Sequence, residues 1–250
     1  MKGDPMASVR INKYLSECGV CSRREADRRI EAGEVLVNGQ PAVPGAMVSE
    51  EDEITCAGEP VRPTEEKVLL AVCKPDGIVC TTAYHKGEKN IVDMIGWPSR
   101  IYPIGRLDKN SEGLILMTNQ GELSERLLRS RYGHEKEYEV TLRERVTLPF
   151  LQQMREGVPI LDTVTLPCQV IRTGSCSFRI ILTQGLNRQI RRMCEALGFH
   201  VVTLKRIRVA NILLGDLKPG EYRRIEGEER DRFLALMQEP EKGKEQSHGR

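Results

Sequence analysis

The stretch Gly105–Leu123, GRLDKNSEGLILMTNQGEL, sets a single carboxylate, Asp108, between Arg106 and Lys109 just ahead of an apolar run. Asp108, Asn110, Ser111 and Gly113 are turn formers, because short polar side chains bond their own backbone and glycine takes left-handed dihedrals freely. LILMT then reads as a short buried strand, and GELSERLLRS as a helix burying Leu123, Leu127 and Leu128. Two readings stay open on this stretch alone. Asp108 is either part of a plain turn or an acid working from a loop that a rigid strand carries.

The flanking segments supply the scaffold. KVLLAVCKPDGIVCTT reads as a strand, a Pro75-Asp76-Gly77 turn and a second strand. HEKEYEVTL alternates, with Tyr138, Val140 and Leu142 on one face and Glu137, Glu139 and Thr141 on the other, so Tyr138 points toward a core or the floor of a cleft. VTLPCQVI and SFRIILT add strands. Strands outnumber helices and several neighbours look hairpin-linked, which predicts a mixed, largely antiparallel α+β domain over residues 67–238. Upstream, Ile11, Tyr14, Leu15 and Cys18 recur at helical spacing, and SRRE is a capping box with Ser22 as N-cap and Glu25 three residues on. EVLVNGQPAV places Asn38-Gly39 between two short strands, a hairpin signature. Residues 8–58 therefore read as a separate helix, helix, small-sheet module, 59–66 as a Pro-containing linker and 239–250 as a polar, disordered tail.

Basic residues concentrate in two places. On the expected second helix Arg23 and Arg29 have acidic partners four residues away, Asp27 and Glu25, which leaves Arg24 and Arg28 as a free stripe able to contact phosphate. Farther on, FRIILTQGLNRQIRRMCEALGF reads as a strand, a Gly-containing loop and a helix with Asn187 available as its cap. Ile190, Met193, Cys194 and Leu197 form its buried stripe. Arg188, Arg191 and Arg192 crowd its first turns, where cations oppose the helix dipole. Free backbone N–H groups there already favour an anion, so this end suits a phosphate or a carboxylate. Lys205, Arg206 and Arg208 follow in VVTLKRIRV; from Arg188 to Arg208 there are six Lys or Arg against one acid, Glu195.

Composition limits the function classes. The 250 residues carry a formal charge of only +2, so any nucleic-acid surface must come from this local clustering. Aromatic residues are 4% of the chain, too few for a stacking platform that binds single strands, and a structured RNA or DNA backbone is the better partner. No run of 18 apolar residues exists and MKGDPMASVR lacks the apolar segment of a signal peptide, so the expected location is the cytosol. Of eight cysteines only Cys18 and Cys21 form a C-x-x-C, without the second pair a zinc ribbon needs, and the cysteines read as small buried hydrophobes. Walker A, G-x-G-x-x-G after a strand, H-E-x-x-H and G-x-S-x-G are all absent.

With these segments in order, a resemblance emerges over residues 8–235. VRINKYLSECGVCSRREADRRIEAGEVLVNGQ resembles an S4 domain, a small RNA-binding module. KPDGIVCTT, PIGRLDKNSEGLILMTNQGEL, KEYEVTL and GLNRQIRRM resemble the successive motifs of RsuA-type pseudouridine synthases. HEKEY, GVPILDTVT and GLNRQIRRMCE look closest to the RluF branch, which modifies large-subunit ribosomal RNA. The resemblance implies that Asp108 is the catalytic aspartate, that Tyr138 sits against the target base as the candidate general base, and that Arg188 pairs with the aspartate. It implies no metal or organic cofactor. The implied partner is a stem-loop of 23S ribosomal RNA, free or partly assembled, met by a monomer. The expected RNA-contacting residues are Arg24, Arg28, Arg106, Lys109, Arg191, Arg192, Lys205, Arg206 and Arg208. The same chemistry on tRNA or 16S ribosomal RNA, and a non-catalytic S4-type assembly protein, are the competing expectations. An S4-linked methyltransferase would need a nucleotide-binding Gly loop, which the sequence lacks.

Overall fold

The computed structural model describes residues 8–49, 51–63, 66–82, 87–128 and 133–238. The tail expected over 239–250 lies outside the described residues. Two compact units separate. One takes the chain up to Val68 with Trp97–Ile101 and Asn119–Gly121; the other takes Leu69–Gly96, Tyr102–Thr118 and the residues from Glu122 onward.

The first unit runs β1 (Val9–Arg10), α1 (Ile11–Glu17), α2 (Arg23–Glu31), β2 (Val35–Val37), β3 (Gln40–Pro41), β4 (Met47–Val48), β5 (Ile54–Cys56) and β6 (Glu59–Pro60). Ser22 Oγ accepts a hydrogen bond from the Glu25 N–H at 3.2 Å, so the capping signal starts α2 where the sequence places it. Asn38 and Gly39 both take positive φ, 51° and 78°, the dihedrals of a two-residue hairpin turn between β2 and β3. Ile11, Leu15, Ala26 and Ile30 from the helices pack on Val35, Val48, Ile54 and Cys56. The sheet order is β3-β2-β5-β6, so the strand Glu59–Pro60 occupies the start of the segment expected to be a linker. Pro60 marks a break in sequence, yet an edge strand accepts proline because one side needs no N–H.

The second unit runs β7 (Leu69–Lys74), α3 (Ile91–Ile95), β8 (Tyr102–Ile104), β9 (Glu112–Thr118), α4 (Gly121–Leu128), β10 (Lys136–Leu142), α5 (Leu148–Glu156), β11 (Pro159–Ile160), β12 (Thr163–Val164), β13 (Gln169–Arg172), β14 (Ser177–Leu182), α6 (Gln189–Ala196), β15 (Val201–Val209), β16 (Ile212–Leu213), β17 (Tyr222–Arg224) and α7 (Gly227–Gln238). Its main sheet has the order β13-β14-β10-β15-β9-β7-β17, with β8 added on β9 and β16 on β15. Only the β9–β15 pair is parallel in this sheet; the others are antiparallel. None of the described helices is long and apolar enough to cross a membrane.

Two cores flank that parallel seam. On one side Val140, Phe150, Phe178, Ile180 and Met193 pack together, with the Phe150 and Phe178 rings edge to face at 5.4 Å. On the other, Leu69, Leu114, Leu116, Leu123, Leu127, Phe233 and Met237 form a second cluster. The seam is tight. Gly113 of β9 faces Arg206 of β15, and a Cβ on Gly113 would lie 2.3 Å from the Arg206 carbonyl oxygen.

Three local expectations need correction. Leu128 is exposed rather than buried with Leu123 and Leu127, because it sits at the last helical position. The segment after Gly77 forms only an isolated bridge, Val79 with Asn90, because β7 already has β9 and β17 on its two sides. Asn187 does not cap α6; that position belongs to Arg188.

Candidate active site

The loop between β8 and β9 carries Asp108, and it is pinned from beneath. Lys74, fully buried at the end of β7, donates from Nζ to the Lys109 carbonyl at 3.2 Å and to the Pro75 carbonyl at 2.8 Å. The Gly77 N–H donates to the same Lys109 carbonyl at 2.8 Å, and the Ser111 N–H donates to the Asp108 carbonyl at 3.0 Å. The Leu107 N–H reaches Cys80 Sγ at 3.4 Å. Thus the Pro75-Asp76-Gly77 turn serves as a seat for the aspartate loop.

Arg188 comes from the other side of the seam. It stands at the N-cap of α6 with φ 50° and ψ 34° and makes no side-chain cap bond. A non-glycine residue in this left-handed region stores about 1–3 kcal/mol of strain, and such strain persists where surrounding contacts enforce it. Here Gln189 enforces it. Its Oε1 accepts from the Leu186 N–H at 3.0 Å, and its Nε2 donates to Gln184 Oε1 at 3.2 Å, which bundles the 184–188 loop against the helix. The result aims the Arg188 guanidinium at the carboxylate, Nη1 to Asp108 Oδ2 being 3.8 Å. Both groups are partly exposed, so solvent screens this attraction and its value lies in orientation.

Tyr138 is half-buried in β10 and packs on the first core, where the alternation places it. Its ring lies beneath a guanidinium, with Arg206 Cζ 6.0 Å from the ring centroid. Asp108, Arg188, Tyr138, Arg106, Lys136 and Arg206 all line one cavity of about 480 Å³, whose remaining wall includes Leu182, Leu186, Ile190 and Leu204. That volume falls within the range of small-ligand sites. Lys136 is buried, and burial, followed by the repulsion of Arg206, pulls its ammonium pKa down to about 8.

The remaining basic residues divide sharply. Arg24 is exposed and has no ion pair among the described residues, while Arg28 is held by Glu25 at 2.6 Å. Arg23 is likewise exposed and without an ion pair among the described residues, because Asp27, its expected partner, accepts from Asn12 at 2.8 Å, so the free cations of α2 are Arg23 and Arg24 rather than Arg24 and Arg28. Lys109 pairs with Glu88 at 3.0 Å. Arg208 is bracketed by Glu135 at 2.9 Å and Glu137 at 2.8 Å, because the β10–β15 register sets Glu137 directly opposite it. Arg192 folds back on Asn187, 3.1 Å to the carbonyl and 3.2 Å to Oδ1. Arg191 donates to the Asn110 carbonyl and reaches Ser111 Oγ at 3.5 Å and the Val201 carbonyl at 3.4 Å, tying α6 to the aspartate loop. Burial and the neighbouring Arg188 lower the Arg191 pKa. Lys205 is half-buried, and Arg106 is exposed at the cavity. Lys74, Gln189 and Lys136 were not singled out from sequence, although the alternation that turns Tyr138 inward turns Lys136 inward as well.

A family model described as RNA pseudouridylate synthase matches residues 68–196, and an S4 domain model matches residues 9–54. The dual-specificity RNA pseudouridine synthase RluF of Escherichia coli (strain K12) is 49% identical over 228 residues, covering 90% of this chain and 78% of that protein. The chain belongs to the RNA pseudouridine synthases. Ribosomal large subunit pseudouridine synthase B of Bacillus subtilis (strain 168) is 33% identical over 235 residues, 91% of this chain and 96% of that one. A crystal structure of a pseudouridylate synthase matches with a TM-score of 0.67 at 28% identity, covering 92% of this chain and 100% of its own. As an RNA pseudouridine synthase the chain isomerises uridine in RNA, and it carries an S4 module ahead of the catalytic unit.

Proposed function

We propose that this pseudouridine synthase acts in the cytosol, as a monomer, on a uridine in a structured segment of 23S ribosomal RNA, free or partly assembled. In this reading Asp108 works as an anion at the sugar, either attacking C1′ or taking the 2′ proton. Arg188 pairs with it, and Tyr138 packs against the extruded base, with its hydroxyl placed to act as general base. The observation that carries the reading is the 3.8 Å approach of Arg188 to Asp108 in a cavity that Tyr138 also lines. A neighbouring guanidinium fixes the orientation of the carboxylate, and the base must leave its stack to reach such a site. The ribosomal large-subunit assignment in the name of the Bacillus subtilis relative supports the substrate class. Dual specificity in the name of the Escherichia coli relative is the reason to assay tRNA and 16S ribosomal RNA as second substrates.

Mapping pseudouridine in RNA from cells with and without the gene tests the substrate. A site in 23S ribosomal RNA that loses its pseudouridine is the expected result; losses confined to tRNA or 16S ribosomal RNA would replace it. Two protein-level outcomes are expected on a 23S fragment. Tyr138→Phe keeps RNA affinity and loses about 10²-fold or more in turnover; equal turnover reduces Tyr138 to a packing residue. Arg24→Ala weakens binding and flattens the dependence of log K on log salt by about one phosphate contact, measured from 50 to 200 mM salt. An unchanged slope would remove Arg24 from the RNA surface.

A further inference from the structure

The cavity holds two cations that lack an acid. Lys136 and Arg206 are 8% and 4% exposed, and neither forms an ion pair among the described residues. Lys136 Nζ donates to the His134 carbonyl at 3.3 Å and Arg206 Nε to the Leu114 carbonyl at 2.6 Å. A neutral carbonyl orients a buried cation without cancelling its charge. Burying one ion is costly, and burying two that repel each other is more so; folded proteins tolerate this where a partner of opposite charge arrives. The other charged groups of the cavity are Asp108, already paired with Arg188, and Arg106, a further cation. The missing anion must therefore come with the substrate.

Depth in the cavity says which part of the substrate supplies it. The Arg188 and Asp108 side chains are 45% and 30% exposed, so the carboxylate that meets the sugar sits toward the mouth. Lys136 and Arg206 lie deeper, on either side of Tyr138. Lys136 is two residues from it on the same strand face, and Arg206 is its register partner across the sheet, with the guanidinium over the ring. With C1′ near Asp108 and the base against Tyr138, the deep cations face the ring and the phosphates stay outside.

We infer that Lys136 and Arg206 contact the carbonyl oxygens of the target uracil and take up the negative charge that develops there when its bond to the sugar breaks. The inference rests on the site reading given above. When the N1–C1′ bond cleaves, its electron pair leaves with the base and spreads over N1, O2 and O4. The ring then presents C5, the pair forms the C5–C1′ bond, C5 gives up its proton and N1 gains one. The product is an isomer and no other reactant is needed. Charge exists on the base only between the two bonds, so cations fixed beside it act on the transition state more than on bound RNA.

The test separates this role from a structural one through stability. Lys136→Met removes a buried charge, so the variant is expected to melt at or above the wild-type temperature. Its kcat should fall about 10²-fold, with KM and salt dependence close to wild type. Lys136→Arg keeps the charge and should recover most of the loss, and Arg206→Met should lose turnover where Arg206→Lys keeps part of it. Unchanged kcat in Lys136→Met overturns the inference. So does a rise in KM with a flatter salt slope, which would assign the pair to phosphate, or a melting temperature that falls together with turnover. Asp108→Asn in the same assay checks the underlying site reading by itself: activity there overturns that reading, whereas inactivity there beside an active Lys136→Met overturns the charge role alone.

Discussion

Asp108→Asn should bind its RNA at least as tightly as the wild type and form pseudouridine about 10³-fold more slowly or worse. The amide keeps the size and hydrogen-bonding reach of the carboxylate and deletes its charge. Neither role open to Asp108 survives that change, since an amide is a poor nucleophile at C1′ and a poor base at the 2′ position. The loop itself should persist. It is held through the backbone of Lys109 by Lys74 and Gly77, through the Leu107 N–H by Cys80 and by the Ser111 N–H on the Asp108 carbonyl, and none of those bonds uses the Asp108 side chain. RNA affinity should not drop, because deleting an anion beside Arg188 and Arg106 leaves the surface more attractive to phosphate. Single-turnover rates and dissociation constants on one 23S fragment decide the matter. Turnover within tenfold of wild type would end the assignment of Asp108 as the reacting carboxylate.

What could be read from sequence follows from which periodicities were strict. The N-cap at Ser22, the hairpin at Asn38-Gly39 and the alternation through Tyr138 are local rules with local causes, and each appears where the residues place it, although the Glu25 carboxylate turns to Arg28 and Arg29 instead of closing the capping box. Register is not local. Nothing in VVTLKRIRV shows that Glu137 will stand opposite Arg208, so a concentrated basic stretch looked like a phosphate surface when one of its members was already neutralised. The same holds for Arg191, whose guanidinium turns inward to the Asn110 carbonyl, a partner 81 residues away in the chain. The crowd of arginines at the start of α6 did carry information, because cations placed against a helix dipole need a reason. The geometry supplies two: Arg188 faces the carboxylate, and Arg191 ties down the loop that bears it. The left-handed backbone of Arg188 was not legible, since asparagine is the residue that ordinarily takes such a position and Asn187 stands next to it.

Gly113→Ala should be strongly destabilising, because it adds a methyl group inside the parallel seam of the main sheet. Gly113 takes φ +102°, a conformation L residues resist. Its added Cβ would stand 2.3 Å from the Arg206 carbonyl oxygen and 2.8 Å from the Arg206 nitrogen. Both are backbone atoms in the middle of β15, so no rotamer change relieves the collision. Only separation of the seam does, and the seam is the one parallel pairing of the main sheet, where β9 and β15 join its two halves. A loss of about 4 kcal/mol or more is expected, the level at which a single substitution signals a specific steric or network failure. Gly198→Ala is the control for dihedral strain alone: φ there is +80° and nothing lies within 4 Å of the added methyl, so the loss should stay near 1 kcal/mol. Denaturant unfolding of the two variants beside wild type gives the comparison. Any folded Gly113→Ala should also be nearly inactive, because moving β15 shifts Arg206 away from Tyr138 and the segment leading out of the Asp108 loop moves with β9. Equal stability of the two variants would mean that the seam opens without resistance, and the Arg206 position would then be set by something other than its approach to Gly113.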